Sequence, residues 1–303
     1  MAIQNVTIFG GSGFIGRHIV RRLAPTGAVI HVPTRDPEKA LILKPMGDVG
    51  QIVPIPCSVR SDAAVARVIG ASDVVINLLG ILYEKGRDTF QSIHVEAAAR
   101  IARLAHEQGV KRFVHLSALG ASAESPSAYA RSKAAGEAAV RAFFPEATIL
   151  RPGIVFGAED HFFNMFSNLA RFSPVLPLIG GGHTRFQPVY VGDVAEAALR
   201  AMTRPEARGA IYELGGARVY SFRELLELLL RLTRRKRCLV DLPWPLATVQ
   251  AAVMELFPHP LLTRDQVKLL KSDTIIIDPE AKTLGDLGIT PAGLEMILPT
   301  YAR

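Results

Sequence analysis

The fold is decided by the stretch Gly10-Gly11-Ser12-Gly13-Phe14-Ile15-Gly16. It directly follows a short apolar run, Val6 to Phe9, and opens the first helical pattern, Ile15 to Leu23. Glycines let the chain turn tightly and let a pyrophosphate approach free N–H groups at the positive end of a helix. Although a tight turn without a ligand is the alternative, this strand–turn–helix order predicts a dinucleotide-binding βαβ unit. The predicted cofactor contacts here are Gly10, Ser12, Gly13, Phe14 and Ile15.

Short β-branched runs and Ala/Arg-rich helical stretches alternate through the first half of the chain. The predicted strands are Val6 to Phe9, Ala28 to Pro33, Gln51 to Pro54, Val74 to Leu78, Arg112 to Leu116 and Thr148 to Leu150. The predicted helices are Ile15 to Leu23, Asp62 to Ile69, Ser92 to Glu107 and Ala130 to Phe143. This alternation predicts an α/β protein with a Rossmann-type, doubly wound parallel sheet.

The regular alternation breaks at about Gly157, where prolines and glycines mark a region rich in loops. One more amphipathic helix is predicted from Ser221 to Arg231, opened by a capping box of Ser221 and Glu224. We therefore expect residues 1–156 to form the nucleotide-binding Rossmann domain. Residues 157–303 are expected to form a smaller C-terminal α+β lobe that faces a partner or substrate, and the chain is free to cross back between the two.

Charge and composition narrow the classes of partner. Lysine and arginine number 35 against 28 acidic residues, a net charge of +7, which favours an anionic partner such as a phosphorylated cofactor or an acidic lipid. Nucleic acid is disfavoured because neither a basic sheet interleaved with aromatic residues nor a basic reading helix is evident. The two cysteines, Cys57 and Cys238, and the scattered histidines lack metal-ligand spacing, so no metal site is predicted.

The chain shows no pattern of a membrane-spanning or targeting segment. The longest weakly polar stretch, Leu242 to Phe257, is too short and is interrupted by prolines, Gln250 and Glu255. A strand begins almost at once, at Ile3, which leaves no room for a signal or transit peptide before it. We therefore expect the protein to remain in the compartment where it is made.

The residues after the second predicted strand indicate which nicotinamide cofactor is bound. In a dinucleotide fold this position holds a carboxylate for the ribose 2′-hydroxyl of NAD or an arginine for the 2′-phosphate of NADP. Here it reads Thr34-Arg35, and a guanidinium pairs with phosphate bidentately. Asp36 follows and leaves NAD open, but Asp36-Pro37-Glu38 also reads as a helix N-cap. The sequence favours NADP(H).

Tyr129 and Lys133 are the candidate catalytic residues. Their spacing of i and i+4 places both side chains on one face of the predicted helix. A nearby ammonium favours the phenolate, which would make the tyrosine usable as an acid or base near neutral pH. An ordinary exposed pair is the alternative, but their place after the fifth strand favours a catalytic interpretation.

Four motifs together resemble the extended short-chain dehydrogenase/reductase superfamily. They are Gly10xxGly13xxGly16, Asn77-Leu78-Leu79-Gly80, Tyr129xxxLys133 and Arg151-Pro152-Gly153-Ile154-Val155-Phe156-Gly157. The resemblance implies that the lysine also holds the nicotinamide ribose and that a serine or threonine near the fifth strand polarises a substrate carbonyl. This chain departs from that pattern, because Ala118 stands at the usual serine position and Ser117 lies one residue earlier. Since side chains alternate along a strand, the hydroxyl is expected to point elsewhere unless the backbone has turned.

Segments in both halves are similar to a narrower group, the NADPH-binding accessory subunits of respiratory complex I (the alpha-subcomplex subunit nine family) and their bacterial relatives. They are Pro45-Met46-Gly47-Asp48-Val49-Gly50-Gln51, Phe144-Pro145-Glu146-Ala147, Gln187-Pro188-Val189-Tyr190-Val191 and Leu262-Thr263-Arg264-Asp265-Gln266-Val267-Lys268. This resemblance implies a tightly held NADPH without turnover and docking onto the peripheral arm of complex I. It implies cofactor contacts at Gly10, Gly13, Phe14, Ile15, Arg35, Leu79, Gly80, Ser117, Tyr129, Lys133, Pro152 and Gly153.

The functional hypothesis is thus an accessory subunit of complex I, located in the cytoplasm and peripheral to the inner (plasma) membrane of a bacterium. The basic run Arg234 to Arg237 and the apolar segment Trp244 to Phe257 predict an acidic phospholipid or subunit contact, with a solvated helix end as the alternative for the basic run. Two other functions stay open. One is an active NADP-dependent reductase or epimerase acting on a nucleotide-sugar or small carbonyl substrate, and the other is an NADPH-sensing regulator.

Overall fold

The computed structural model describes residues 3–258 and 260–302. His259, one of the scattered histidines, lies outside the described residues. The strands are β1 (Asn5–Phe9), β2 (Val29–Thr34), β3 (Ile52–Pro56), β4 (Val74–Asn77), β5 (Arg112–Leu116), β6 (Thr148–Pro152), β7 (Val155–Phe156), β8 (Val175–Ile179), β9 (Arg185–Phe186), β10 (Val189–Tyr190), β11 (Ile211–Leu214), β12 (Tyr220–Ser221) and β13 (Cys238–Leu242). The helices are α1 (Phe14–Leu23), α2 (Pro37–Ala40), α3 (Asp62–Ile69), α4 (Ala98–Glu107), α5 (Ala128–Phe143), α6 (Phe162–Phe172), α7 (Val191–Thr203), α8 (Phe222–Leu232), α9 (Trp244–Met254), α10 (Arg264–Leu269) and α11 (Leu294–Ile297).

The main sheet has seven strands in the order β11-β6-β5-β4-β1-β2-β3. Every neighbouring pair is parallel. All six predicted strands form and lie in this sheet, so the predicted doubly wound α/β fold is confirmed. The chain reverses its direction of winding between β1 and β4, and such a switch point leaves a crevice at the carboxyl ends of the strands.

Apolar side chains fill both faces of the sheet. In β4, Val74 and Ile76 join one buried cluster, which also contains side chains of α1 and α7. Val75, between them, joins the cluster formed with α3, α4 and α5 on the opposite face. Since successive side chains of a strand point to opposite faces, a strand buried on both sides reads as a continuous apolar run.

The sheet continues beyond residue 157. β11 pairs with β6 from Ile211↔Ile149 to Leu214↔Pro152, and α7 packs against α1. The predicted division into residues 1–156 and 157–303 stays a prediction, but the chain does cross back to the sheet after Gly157.

A separate apolar cluster lies in the C-terminal half. It contains Phe163 and Phe166 of α6 together with Phe222 and Leu225 of α8. The predicted capping box opens α8: the Ser221 hydroxyl accepts from Glu224 N at 3.1 Å, and the Glu224 carboxylate accepts from Ser221 N at 2.7 Å. In the described part of the chain no helix is both long and apolar enough to cross a membrane.

Candidate functional site

The predicted cofactor residues follow five strands of the main sheet. Gly10 follows β1, Arg35 follows β2, Leu79 follows β4 and Ser117 follows β5, while Pro152 ends β6. Because these strands are parallel neighbours, their carboxyl ends lie at one edge of the sheet. The structure therefore brings the predicted residues to the same edge, at the crevice between β1 and β4.

The glycine-rich turn has a backbone that side chains would block. Gly10 has φ +81°, in the left-handed region that glycine favours, and a Cβ atom on Gly16 would lie 2.3 Å from the Gly10 carbonyl oxygen. Gly13 is the N-cap of α1 and, within residues 3–258 and 260–302, no side chain caps its first turn. The N–H groups at this positive helix end are thus left without a side-chain acceptor, which fits a pyrophosphate.

Arg35 lies beside a second arginine. Its Nη1 is 2.7 Å from Asp88 Oδ2, and Arg60 Nη2 is 2.7 Å from Asp88 Oδ1. Hydrogen bonds from Arg60 and then Arg35 lower the pKa of Asp88, so this carboxylate is ionised at neutral pH. Asp36 caps α2, since its Oδ1 accepts from Lys39 N at 3.3 Å. The alternative interpretation of Asp36 as a helix N-cap therefore holds, and this use competes with binding a ribose.

Tyr129 and Lys133 both lie in α5, where burial shifts the pKa of each side chain away from its ordinary value. Lys133 is 4% exposed, and its Nζ donates to the Leu116 carbonyl at 2.7 Å. Burial lowers the pKa of Lys133 to about 8, against a smaller opposing effect of Glu137. Burial raises the pKa of Tyr129 to about 12. The phenolate is therefore disfavoured near neutral pH, contrary to the expected effect of a neighbouring ammonium.

The Ser117 hydroxyl is enclosed by protein. Ser117 is 3% exposed, and its backbone N–H donates to the Leu150 carbonyl at 2.7 Å, which continues the pairing of β5 with β6. Its Oγ is shielded from solvent and has no hydrogen-bond partner among the described residues. Ala118, at the usual position of the active serine, is only half-buried. In this conformation solvent does not reach the Ser117 oxygen.

The remaining predicted contacts are backbone positions. Leu79 N donates to Asn77 Oδ1 at 3.2 Å, which fixes the turn after β4, and Gly80 is exposed beyond it. A Cβ atom on Gly153 would lie 2.6 Å from the Gln187 carbonyl oxygen. Gly153 is thus held by close packing against the segment before β10, while the Pro152 carbonyl accepts from Leu119 N at 2.8 Å.

His94 positions Tyr129 through a chain of hydrogen bonds, a role that the sequence did not predict. Ile81 N donates to His94 Nε2 at 3.0 Å, so Nδ1 carries the proton and donates to Ser132 Oγ at 2.8 Å. The Ser132 hydroxyl in turn donates to the Tyr129 carbonyl at 2.7 Å. Burial lowers the pKa of His94 to about 3, so the ring stays neutral and keeps this chain of hydrogen bonds intact.

Asp265 caps the helix that carries Tyr129 and Lys133. Its carboxylate accepts from Ser127 Oγ at 2.8 Å, from Ala128 N at 2.7 Å and from Tyr129 N at 3.0 Å. An anion at a helix N-terminus satisfies free N–H groups and is favoured by the helix dipole. A residue of α10 thereby positions the first turn of α5.

A family comparison agrees with this geometry. The NAD dependent epimerase/dehydratase family matches residues 6–215, which contain the whole nucleotide edge of the sheet. The chain belongs to this family. Like other members of the NAD dependent epimerase/dehydratase family, it has a site for a nicotinamide dinucleotide, NAD or NADP, at that edge.

Within this family the chain is similar to subunits of respiratory complex I. It is 40% identical to an Arabidopsis thaliana protein named NADH dehydrogenase [ubiquinone] 1 alpha subcomplex subunit 9, mitochondrial, over 95% of this chain and 75% of the relative. It is 36% identical to the mouse protein of the same name, over 96% and 77%. It is also 32% identical to a ceramide reductase of Caulobacter vibrioides, over 79% and 74%.

A solved structure of similar fold is the NADPH-dependent quinone oxidoreductase QOR2 of Escherichia coli with NADPH. The TM-score is 0.76 at 20% identity, over 96% of this chain and 97% of that one, which supports the fold alone. The expected location in the cytoplasm, at the inner (plasma) membrane of a bacterium, is wrong. The subunit 9 relatives from Arabidopsis and mouse are named as mitochondrial proteins of eukaryotes.

Sequence reasoning missed four residues of this epimerase/dehydratase-type site: Arg60, Asp88, His94 and Asp265. Arg60 carried a usable signal, because it is a basic residue shortly after a strand of the predicted parallel sheet. Asp265 lies in a segment that was noted for its resemblance, but that resemblance assigned no role to it. Asp88 and Asp265 reach the site from loops or helices far along the chain, and His94 is one histidine among eight. Their roles depend on contacts that no local pattern encodes.

Proposed function

We propose that this protein is an NADP(H)-binding accessory subunit of respiratory complex I that holds its cofactor tightly and does not turn it over. The similarity to subunit 9 proteins along nearly the whole chain supports the assignment to complex I. The open first turn of α1 and the guanidinium of Arg35 support a phosphorylated dinucleotide, and Arg35 in particular supports NADP over NAD.

The proposal that the cofactor is not turned over rests on the enclosed Ser117 hydroxyl. A carbonyl reductase needs a donor 2.7–3.1 Å from the developing oxyanion, as a general distance requirement. Ser117 Oγ is cut off from solvent, and Tyr129, with its pKa raised to about 12, is a poor proton donor at neutral pH. These observations support a site that holds a nucleotide while its reacting end is closed.

In this proposal, each part of the site binds one part of the cofactor. The first turn of α1 would bind the pyrophosphate, and Arg35 would bind the 2′-phosphate. Tyr129 and Lys133 would lie along the nicotinamide ribose. When bound, the dinucleotide supplies a hydride donor, but the residues around it orient it and exclude water. The predicted contacts at Gly10, Ser12, Gly13, Phe14, Ile15, Leu79, Gly80, Ser117, Pro152 and Gly153 belong to this proposal.

One purification tests the functional claim. The protein, isolated without added nucleotide, should release close to one equivalent of NADPH on denaturation, because a retained cofactor survives purification. It should oxidise that NADPH negligibly with sugar nucleotides, aldehydes or quinones. Turnover at ordinary enzyme rates of about 1 s⁻¹ or more would reject the accessory role.

The partner is tested in the cell of origin. Affinity purification of the tagged protein from detergent-solubilised membranes should recover subunits of the peripheral arm of complex I. Recovery of the protein alone, with its NADPH content intact, would reject the partner and leave the cofactor assignment standing.

We also propose a contact between α9 and acidic phospholipid. Leu246, Val249 and Val253 recur at helical spacing on the outer face of α9 and are 54–62% exposed. Leu256, which follows the helix, is 83% exposed. Lys271 Nζ lies 5.7 Å from the Trp244 ring, at the start of this helix. Basic charge beside exposed apolar area is what binds a helix to an anionic bilayer.

The basic run contributes less to this contact than its sequence suggests. Arg235 Nη1 donates to the Ser167 carbonyl at 3.1 Å, and Arg237 Nε donates to the Ala170 carbonyl at 2.8 Å. Both guanidiniums are therefore bound to α6, and Arg237 satisfies a carbonyl of its last turn, where cations are favoured. Arg234 and Lys236 are exposed and remain for a phospholipid headgroup.

Vesicle flotation tests the phospholipid contact. The protein should float with vesicles of phosphatidylcholine and cardiolipin, and Val249→Glu should abolish this because it places an anion on the outer face of α9. Val240→Glu, at an exposed valine of β13, is the matched control and should float normally. Equal flotation of both variants would reject the contact through α9.

A reductase acting on a lipid carbonyl is the second candidate. The similarity to a ceramide reductase over 79% of the chain favours it, as does the retained Tyr129xxxLys133 pair. NADPH oxidation on addition of carbonyl-containing lipids of the ceramide class, lost in Tyr129→Phe, would establish this candidate in place of the accessory role.

A further inference from the structure

Two arginines from adjacent strand ends share one carboxylate. β2 and β3 are parallel neighbours, with Thr34 opposite Pro56, so the residues that follow them lie close together. Arg35 and Arg60 each place a nitrogen 2.7 Å from a different oxygen of Asp88. The side chains of Arg35 and Arg60 are 74% and 40% exposed, so a solute can reach them. Two guanidiniums around one oxyanion form an arrangement that also suits a phosphate group.

We propose that Arg60 is a second ligand of the 2′-phosphate of NADPH and that Asp88 is a resident anion which this phosphate displaces. The inference rests on the proposed cofactor and adds to it the residues that set its specificity. Before the nucleotide arrives, Asp88 balances the charge of the two guanidiniums and occupies the position that the phosphate would take. A dianionic phosphate satisfies the same donors with more charge, so it outcompetes the single carboxylate.

Both arginines contact the segment around Asp88. Lys85 and Asp88 exchange backbone hydrogen bonds of 3.0 Å, and Arg60 Nη2 also donates to the Arg87 carbonyl at 2.6 Å. Phe90, two residues beyond Asp88, lies edge-on to the Tyr129 ring with centroids 5.9 Å apart. Asp88 thus lies two residues from a ring that contacts Tyr129.

A purely structural ion pair predicts a different result. Exposed ion pairs contribute little to folding, so substitutions at Arg60 and Asp88 should leave the protein folded. If the pair served structure alone, losing either partner would affect NADPH and NADH equally. If Arg60 binds the 2′-phosphate, its loss weakens the binding of NADPH alone, because NADH lacks this group.

The experiment is a titration of nucleotide-stripped protein with NADPH and with NADH, followed by calorimetry. Arg60→Gln should weaken NADPH binding about tenfold, in line with the loss of one charge-assisted hydrogen bond, and should leave NADH binding unchanged. Asp88→Asn should strengthen NADPH binding several-fold because the competing anion is gone. Arg87→Gln, which removes the same charge from the same segment, is the control and should change neither affinity by more than about twofold.

The outcomes separate this inference from the proposed function. Unchanged NADPH binding in Arg60→Gln, an equal loss for both nucleotides, or weaker NADPH binding in Asp88→Asn would overturn the inference. Wild-type protein that binds neither nucleotide would overturn the cofactor as well. If wild-type protein turns NADPH over rapidly, the accessory role fails, while a selective loss in Arg60→Gln still supports the phosphate assignment.

Discussion

Arg35 is the residue on which the choice of NADP over NAD depends. Replacing it by aspartate puts an anion where the 2′-phosphate is expected, and repulsion should weaken NADPH retention at least tenfold. The measurement is the amount of NADPH that remains after purification and dialysis. Lys39→Asp makes the same charge reversal nearby at an 85% exposed side chain and should retain NADPH. Equal retention by both variants would show that the phosphate binds elsewhere.

Lys133 gives a prediction for stability against pH. Burial lowers its pKa in the folded protein to about 8 from its ordinary value of 10.5, so the folded state disfavours the ammonium. Between these two values the unfolded chain binds more protons, and the free energy of unfolding therefore rises with pH. Below about pH 8 the burial cost is present in full. Above about pH 10.5 it has disappeared, which amounts to roughly 3 kcal/mol across the window.

Lys133→Met isolates this effect. The variant should be more stable than wild type at pH 7, and the difference should shrink from pH 8 towards pH 10.5. Tyr129 is present in both proteins, so its own titration cancels. Urea unfolding of nucleotide-stripped protein measures the difference, and a constant difference between pH 7 and pH 10 would contradict the assigned burial of the lysine.

At the level of elements, α5, the helix that carries Tyr129 and Lys133, is contacted by residues that lie before it and after it in the chain. The sequence predicts one helix from Ser92 to Glu107, but the structure has a π-helix over Gln91–Ala97 followed by α4. A Cβ atom on Gly136 of α5 would lie 2.3 Å from the His94 carbonyl oxygen. The two helices thus approach at backbone contact, and the wider π turn brings His94 to Ser132, a detail that helical periodicity does not encode.

The cap that Asp265 provides for α5 is testable. Asp265→Ala removes the acceptor for three donors at the start of this helix, so it should lower the free energy of unfolding by about 1–3 kcal/mol. It should also weaken NADPH retention, because the first turn that carries Tyr129 frays. Asp241→Ala breaks an exposed pair with Arg223 and should cost less than about 1 kcal/mol. Thermal or urea unfolding that ranks the two variants equally would contradict the capping role.

For the whole molecule, the cofactor is expected to act as a folding element. A ligand that binds only the folded state at a hundred times its dissociation constant adds about 2.7 kcal/mol. Stripping NADPH should therefore lower Tm by several degrees, and adding it back should restore Tm, as scanning calorimetry can measure. Arg35→Asp should show no such recovery at the same NADPH concentration. An unchanged Tm on removal from wild type would contradict a structural role for the cofactor.

The whole fold also shows which strands local sequence patterns can predict and which they cannot. The six strands were predictable, because each contains a short run of apolar or β-branched residues and these runs alternate with helical patterns. β11 was not predicted, since its four residues join the sheet by pairing with β6 across a long stretch of chain. Pairing with β6 at the edge of the sheet gives so short a segment its strand conformation.

The sequence by itself determined the doubly wound sheet, the glycine-rich turn at residues 10–16 and Arg35 after β2. These features depend on local backbone freedom and on helix and strand periodicity, which neighbouring residues specify. The tertiary structure alone decided that Asp88 joins Arg35 to Arg60, that Asp265 caps α5 and that the Ser117 hydroxyl is enclosed. Such contacts join residues far apart in the chain, and their geometry follows from how layers pack rather than from any short pattern.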